Sequence, residues 1–372
     1  MIATSPLDEA SGTGSMGDAL RRELHAFISS GEDSERQFDE LANRLFQWHL
    51  ATIPKYRAFC ERRAKDLPRP RTHRQIPLLS VEAFKLAELS STPTRIVRRF
   101  VSSGTANGAR GVAAFDPGAL ELMNAAIVAN ARERLFGDGT RCRFLSLAPR
   151  PEAAPQMIMV YGLSVLNEHF GEGEMASMLS ERGLDLERLL TAIAAAHENA
   201  QPLALVGASF SFVHLFDMLR ERSEPLAPLP PGSRILHAGG FKGRSRELTP
   251  QAFNQQLSEL FGINGRQSVN LLGMTELSSQ IYELSGASRS TKVPPPWMRS
   301  RVVSPRDPSR EVAEGEVGLL AHVDLANYSR PIAILSDDLA RRVEAGFELL
   351  GRARGTDPRG CSLTVEELGR RS

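Results

Sequence analysis

From residue 19 to residue 49 the apolar positions recur at spacings of three and four, first in ALRRELHAFISS and then in ERQFDELANRLFQWHL, with charged residues between them. That is the period of a helix with one buried face, and it predicts two amphipathic helices. Farther along, the pattern changes to short apolar runs, each leading into a turn or a helix: TRIVRRFVSS, RCRFLSLAP, LALVGAS, SRILHAGG and QSVNLLGMTE. Buried strands that each deliver a loop at the carboxyl end explain these runs, and they predict an α/β fold. In such folds ligands bind outside the carboxyl ends of the strands.

Two stretches interrupt the pattern. SEPLAPLPPGS (223–233) reads as a loop, and TKVPPPWMRSRVVSPRDPSR (291–310) as a connection too rich in proline for helix or central sheet. Beyond it, GEVGLLAHVDL, IAILSDDLARRV and GFELLGRA read as β-hairpin material. The first 18 residues are small, polar and acidic; they predict a disordered tail and match neither a signal nor a transit peptide. The expected organisation is a tail over 1–18, a main unit over 19–345, and a short C-terminal segment over 346–372.

Composition narrows the partners. Hydrophobic residues make up 41% of the 372, charged residues 24%, and the formal net charge is +1, so no global field recruits nucleic acid or an anionic membrane. No apolar run approaches the roughly 18 residues needed to span a bilayer. Three cysteines, Cys60, Cys142 and Cys361, cannot all pair within one chain, and free thiols predict a cytoplasmic protein. The histidines show no metal-binding spacing.

Four loops carry candidate chemistry. In VSSGTANGARG (101–111) small residues could close backbone N–H groups and hydroxyls around phosphate oxygens, with Arg110 supplying charge, although such a stretch can equally be a plain turn. In NLLGMTELSSQ (270–280) a strand turns at Gly273 into Thr275 and Glu276, where a carboxylate could hold Mg²⁺ or simply cap a helix. In LSDDLA (335–340) two aspartates could accept hydrogen bonds from a ribose diol or form a solvated turn. The arginines of ELLGRARGTDPRGCSL (348–363) could face a nucleotide or solvent.

Taken in order, the four loops resemble the adenylate-forming superfamily, and more narrowly the acyl-protein synthetases of the LuxE type. QIPLLSVEAFK (75–85), FVSSGT (100–105), HAGGFKG (237–243), LLGMTE (271–276) and GR…PRGCSL (351–363) sit where that family has similar pieces. The resemblance implies an acyl-CoA synthetase-like N-terminal domain of layered sheets and helices, with a short C-terminal β/helix segment. It implies ATP and Mg²⁺ as cofactors and a fatty or other apolar carboxylic acid as substrate. The acid becomes an acyl adenylate, passes to a cysteine as a thioester, and goes on to an acyl-accepting partner protein of reductase or carrier type.

The resemblance assigns Ser102, Ser103, Gly104 and Thr105 to the phosphates, with Arg110 in support. Gly273 and Thr275 join the ATP site, Glu276 takes the metal, and Asp338 and Arg352 hold the ribose. Lys242 would neutralise the carboxylate or a phosphate oxygen. Gly207, Phe210 and Phe212, with Gly239 and Gly240, would wall the acyl pocket. The sequence departs from the superfamily pattern at Ala106, Asn107 and Gly108, where Thr and Gly are usual, and at Leu272, where many relatives carry an aromatic ring.

The sequence ends 20 residues after Arg352. The expectation is a chain without the mobile C-terminal domain of larger relatives, with Cys361 as acyl acceptor. Arg352, Arg354 and Arg359 stand nearby, and Thr364 with Glu367 has capping-box spacing for a helix at 365–370. Cations and a helix N-terminus both favour thiolate. Cys60 and Cys142 lack such a setting and read as structural.

Other readings stay open at this point. LALVGASFSFV (203–213) places Ser209 between strand and helix, near the G-x-S-x-G elbow of α/β hydrolases, with Ser211 in place of the second glycine. A ligase passing the acyl group directly to an external thiol or amine is another, as is a non-catalytic member of the superfamily.

Overall fold

The computed structural model describes residues 6–63, 69–102, 110–222, 226–240, 245–284 and 290–353, with backbone only over 6–15. Its centre is a mixed sheet. On one side Ser268–Leu272, Arg234–Ala238, Leu203–Ala208, Arg143–Ser146 and Ala176–Ser177 run parallel, in that order. Beyond Ser268–Leu272 the sheet continues antiparallel through Ile281–Glu283, Thr291–Val293, Gly346–Arg352, Ala333–Val343, Val317–Asp324 and Met298–Val303.

The parallel half explains the apolar runs. Every residue of Leu203–Ala208 is buried. Ala204 and Val206 pack into the cluster formed with Met123, Ile127, Leu163 and Leu166, on helices Pro117–Arg134 and Ile158–Phe170. Leu203 and Leu205 point the other way, toward Leu189, Phe216 and Leu257 on helices Leu186–Glu198, Ser209–Arg220 and Pro250–Phe261. A strand covered on both faces must be apolar at every position, so it shows no alternation.

Local signals fix the helix starts. The Asp116 carboxylate accepts from Ala119 N at 2.7 Å, with Pro117 at the first helical position, and Thr249 Oγ1 accepts from Ala252 N at 3.2 Å ahead of Pro250.

Three expectations change. Residues 6–18 are helical, forming the first half of Pro6–Ser30, rather than a disordered tail. Proline suits a first turn, and Leu20, Leu24, Phe27 and Ile28 anchor the far turns in the core, from which a helix propagates at low cost. The stretch 291–310 holds two strands, Thr291–Val293 inside the sheet and Met298–Val303 at its edge. Pro294, Pro295 and Pro296 fall between them, where no ladder donor is needed. Finally, the boundary at 345/346 cuts a hairpin: Gly346–Arg352 pairs with strands on both sides and belongs to the sheet.

Candidate active site

The carboxyl ends of the parallel strands open on one cavity of about 1210 Å³. Leu147 and Ala148 follow one strand into its wall, Gly207 and Phe210 the next, Gly239 and Gly240 the third, and Gly273, Thr275 and Glu276 the fourth. The hairpin of Arg98–Val101 and Val112–Phe115 adds Ser102 and Arg110, and the antiparallel half adds Asp338 and Arg352. Residues scattered over 250 positions of sequence thus share one surface. Ser103, Gly104, Thr105, Lys242 and Cys361, and the helix expected at 365–370, lie outside the described residues.

One predicted pocket residue belongs elsewhere. Phe212 is fully buried against Phe216, Phe253 and His237, away from the cavity. Phe210 and Phe212 sit on one helix, and two residues turn a helix by about 200°, so both cannot face the same wall.

The stem of the 103–109 loop closes on itself: Gly111 N donates to Ser102 Oγ at 2.8 Å, and Ser102 N to Gly111 O at 2.9 Å. A Cβ on Gly111 would stand 3.1 Å from Glu276 Oε1 and 3.4 Å from Ser102 Oγ. A side chain there would crowd both, because the loop stem and the Glu276 carboxylate approach so closely. Glu276 is 8% exposed, and burial raises its pKa above the usual carboxylate value, partly offset by Arg352. The Arg352 guanidinium lies 3.6 Å from Asp338, its cross-strand partner. Asp337 also lines the cavity, and its pKa is raised by burial and by Glu82. Met123, Leu147, Leu163, Leu236 and Phe210 add apolar surface to the wall.

Sequence reading missed the brace behind Glu276. Asp324 accepts from Ser278 N at 3.0 Å, Ser279 N at 2.8 Å, Ser279 Oγ at 2.7 Å and Ala326 N at 3.0 Å. Asn327 Nδ2 donates to the Glu276 carbonyl at 3.0 Å, and Arg330 Nη2 to Ser278 Oγ at 2.7 Å. Polar residues inside the apolar stretch AHVDLANYSRPIAI were the available signal. Glu82 and Lys85, paired at 2.6 Å, also line the cavity.

The hydrolase reading fails on geometry. Ser209 Oγ lies 2.9 Å from His237 Nδ1, but Asn270 Nδ2 occupies the same ring nitrogen at 3.0 Å. A triad needs its third group on the opposite nitrogen. Ser209 also bonds the Gly239 carbonyl at 2.7 Å and is 2% exposed.

Cys60 and Cys142 are buried, and burial pushes both thiols up to about 12. We expect iodoacetamide to leave both unmodified in the native protein and to reach them once it is unfolded; native labelling of either would contradict this burial.

The family model described as "Acyl-protein synthetase, LuxE" matches residues 8–368. This chain belongs to the LuxE acyl-protein synthetase family. Like the family, it is an ATP-dependent acyl ligase of the adenylate-forming fold. A curated relative, the long-chain-fatty-acid–luciferin-component ligase of Aliivibrio fischeri, is 21% identical over 355 residues, which cover 91% of this chain and 90% of the relative. Among solved structures, an open conformation of 2-hydroxyisobutyryl-CoA ligase in complex with 2-HIB-AMP and CoA superposes with a TM-score of 0.63 at 15% identity, covering 85% of this chain and 70% of that one. An ATP-bound RpMatB-BxBclM chimera gives a TM-score of 0.50 at 16% identity over 69% of this chain and 48% of that one. These likenesses establish the fold of the LuxE-family chain. Among its described residues no helix is long and apolar enough to cross a membrane.

Proposed function

We propose that this LuxE-family ligase activates a fatty or other apolar carboxylic acid with Mg·ATP and loads the acyl group onto Cys361 for delivery to a partner protein. The observation that carries this reading is the single cavity whose wall holds both Ser102, Arg110, Thr275, Glu276, Asp338 and Arg352 and a set of methionine, leucine and phenylalanine side chains.

In the first step a carboxylate oxygen attacks the α-phosphorus of ATP, and the bond to the pyrophosphate oxygen breaks. An anion approaching a polyanion needs cations and fixed N–H donors. Arg110 and the Ser102 loop, with Lys242, would supply them. Asp338 would accept from the ribose hydroxyls, held in place by Arg352.

The residues fit a divalent cation. Glu276 is a carboxylate whose pKa burial raises, against the opposing charges of Arg352 and Arg330, and it stands beside the phosphate-loop stem. A Mg²⁺ ion there would restore the charged form and offset phosphate charge. Thr275 beside it would orient a phosphate oxygen.

In the second step the Cys361 thiolate attacks the acyl carbonyl carbon, and the bond to the AMP oxygen breaks, leaving AMP with the electron pair. Gly346–Arg352 ends in the cavity wall, so the chain leaves from the site itself. Cys361 stands nine positions after Arg352, which at about 3.4 Å per residue is a span of about 30 Å at most. The thiol can therefore reach the adenylate and still turn outward toward a partner.

Intact mass after incubation with Mg·ATP and mixed carboxylic acids tests this. We expect a hydroxylamine-labile acyl adduct that requires ATP and is lost in Cys361→Ala. Pyrophosphate release with no adduct on the wild type, or an adduct that survives the substitution, would remove Cys361 from the mechanism and leave adenylation standing.

A further inference from the structure

The turn that carries Glu276 brings one more polar side chain to the cavity. Gln280 lines the wall where the turn passes into strand Ile281–Glu283. Both of its oxygens are occupied. Asn130 Nδ2 donates to the backbone carbonyl at 2.7 Å, and the Tyr282 hydroxyl donates to Oε1 at 2.9 Å. Among the described residues the side-chain NH₂ has no partner, so it is the polar group this side chain leaves to the cavity. A Cβ on Gly162, in helix Ile158–Phe170, would stand 3.1 Å from Nε2 and 3.8 Å from Ile127 Cδ1. The amide thus lies against bare helix backbone, in room that a side chain at 162 would take.

The tyrosine decides which way the amide faces. Tyr282 is 1% exposed, burial pushes its pKa up, and among the described residues Gln280 is the one hydrogen-bond partner of its hydroxyl. A phenol has one proton to give, and a buried donor left unpaired is costly. Oε1 must therefore face Tyr282, which turns the NH₂ away from it. Swapping the two ends of the amide would orphan the phenol proton.

The surroundings make this donor selective. Tyr282, Met123, Ile127 and Leu163 belong to one buried apolar cluster, and Met123 and Leu163 reach the cavity wall. A hydrocarbon chain laid over the NH₂ would strip its water and return no bond, whereas an oxygen on the chain would accept from it. A site that hydrogen-bonds its substrate rejects the analogue lacking that group far more strongly than an apolar pocket rejects one methylene.

We propose that Gln280 is a specificity-determining residue whose NH₂, aimed by Tyr282, donates to an oxygen on the acyl chain, so that the preferred acid is a hydroxy or oxo acid. The inference rests on the reading under Proposed function and narrows its acid. Gln280 touches the substrate; Tyr282 is a positioning residue that acts through it.

The test is acid-dependent ATP–pyrophosphate exchange by the full chain, comparing dodecanoic acid with its α-hydroxy, β-hydroxy, mid-chain keto and ω-hydroxy derivatives. We expect one of the oxygenated acids to exceed dodecanoic acid in kcat/KM by about tenfold or more. Gln280→Leu should erase that preference with KM for ATP unchanged, and Tyr282→Phe, which lets the amide turn, should reduce the same ratio in part. If Gln280→Leu does not fold, the double variant Gln280→Leu/Tyr282→Phe removes both partners at once, leaves no orphaned donor and decides the matter. No preference for an oxygenated acid in the wild type, or a ratio unchanged in folded variants, overturns the assignment. So does a fall shared equally by all the acids, which would give the NH₂ to the reacting carboxylate, or a raised KM for ATP, which would give it to the nucleotide. No exchange with any acid overturns the adenylation reading and this inference with it.

Discussion

Glu276→Gln is expected to lower acid-dependent ATP–pyrophosphate exchange by about two to three orders of magnitude while making the protein more stable at neutral pH. The two effects share one cause. Glu276 is 8% exposed, and burial raises its pKa from 4.5, with Asp338 adding to the rise and Arg352 and Arg330 opposing it. A carboxyl that holds its proton more tightly when folded than when unfolded costs nothing below pH 4.5. As pH rises from there through the folded pKa, the unfolded state ionises first and the folded state loses stability. Glutamine does not titrate, so the variant should melt above the wild type at neutral pH, with the difference vanishing below pH 4.5. Added Mg·ATP should raise the melting temperature of the wild type and do little for the variant. Near wild-type exchange in the variant would take the metal role away from Glu276; a lower melting temperature at neutral pH would mean the carboxylate is compensated without a cation.

The second large effect is expected at Asp324, which touches no cavity surface. Asp324→Ala should cost about 3–5 kcal/mol in urea denaturation and abolish exchange. Ser279 N, Ser279 Oγ and Ala326 N would lose their acceptor in a place water does not reach, and Ser278 N would keep only Asn327 Oδ1 at 2.9 Å. Arg330 would lose its largest charge compensation. That arginine is fully buried, lies 3.7 Å over the Phe115 ring, and has its pKa lowered to about 10 by burial. The turn that carries Glu276 hangs on the same bonds, so activity should fall with stability. A variant within about 1 kcal/mol of the wild type would show that the turn is held by packing alone.

Why one acidic pair and one arginine should carry so much follows from where they sit. The turn 273–280 leaves the parallel half of the sheet and enters the antiparallel half. It has no ladder of its own, so side chains of the neighbouring meander must satisfy its backbone N–H groups. Trp297, placed by the three prolines before it, closes the set with a 2.9 Å bond from Nε1 to Ser279 Oγ.

Much of this was legible in the sequence because the parallel strands are short, buried on both faces and followed by loops. RILHAGG and SVNLLGMTE announce a strand, its end and a ligand-facing turn within a few residues, and the turns met at one cavity as the carboxyl-end rule requires. Local period and turn chemistry suffice for features of that kind. They did not suffice for Phe212, whose face depends on the residue at which its helix starts, or for 291–310, where proline content hid two strands flanking the prolines. They also missed the helix over 6–18, anchored by packing of its later turns. Least visible were the polar partners. Asp324 lies 46 residues from Ser278, and Lys292 lies 22 from Asn270, whose backbone carbonyl accepts from it at 3.0 Å. In the sequence, a buried aspartate or lysine looks the same as a solvated one. Burial and hydrogen-bond partners are properties of the assembled sheet, so only the tertiary structure could decide which charges the site depends on.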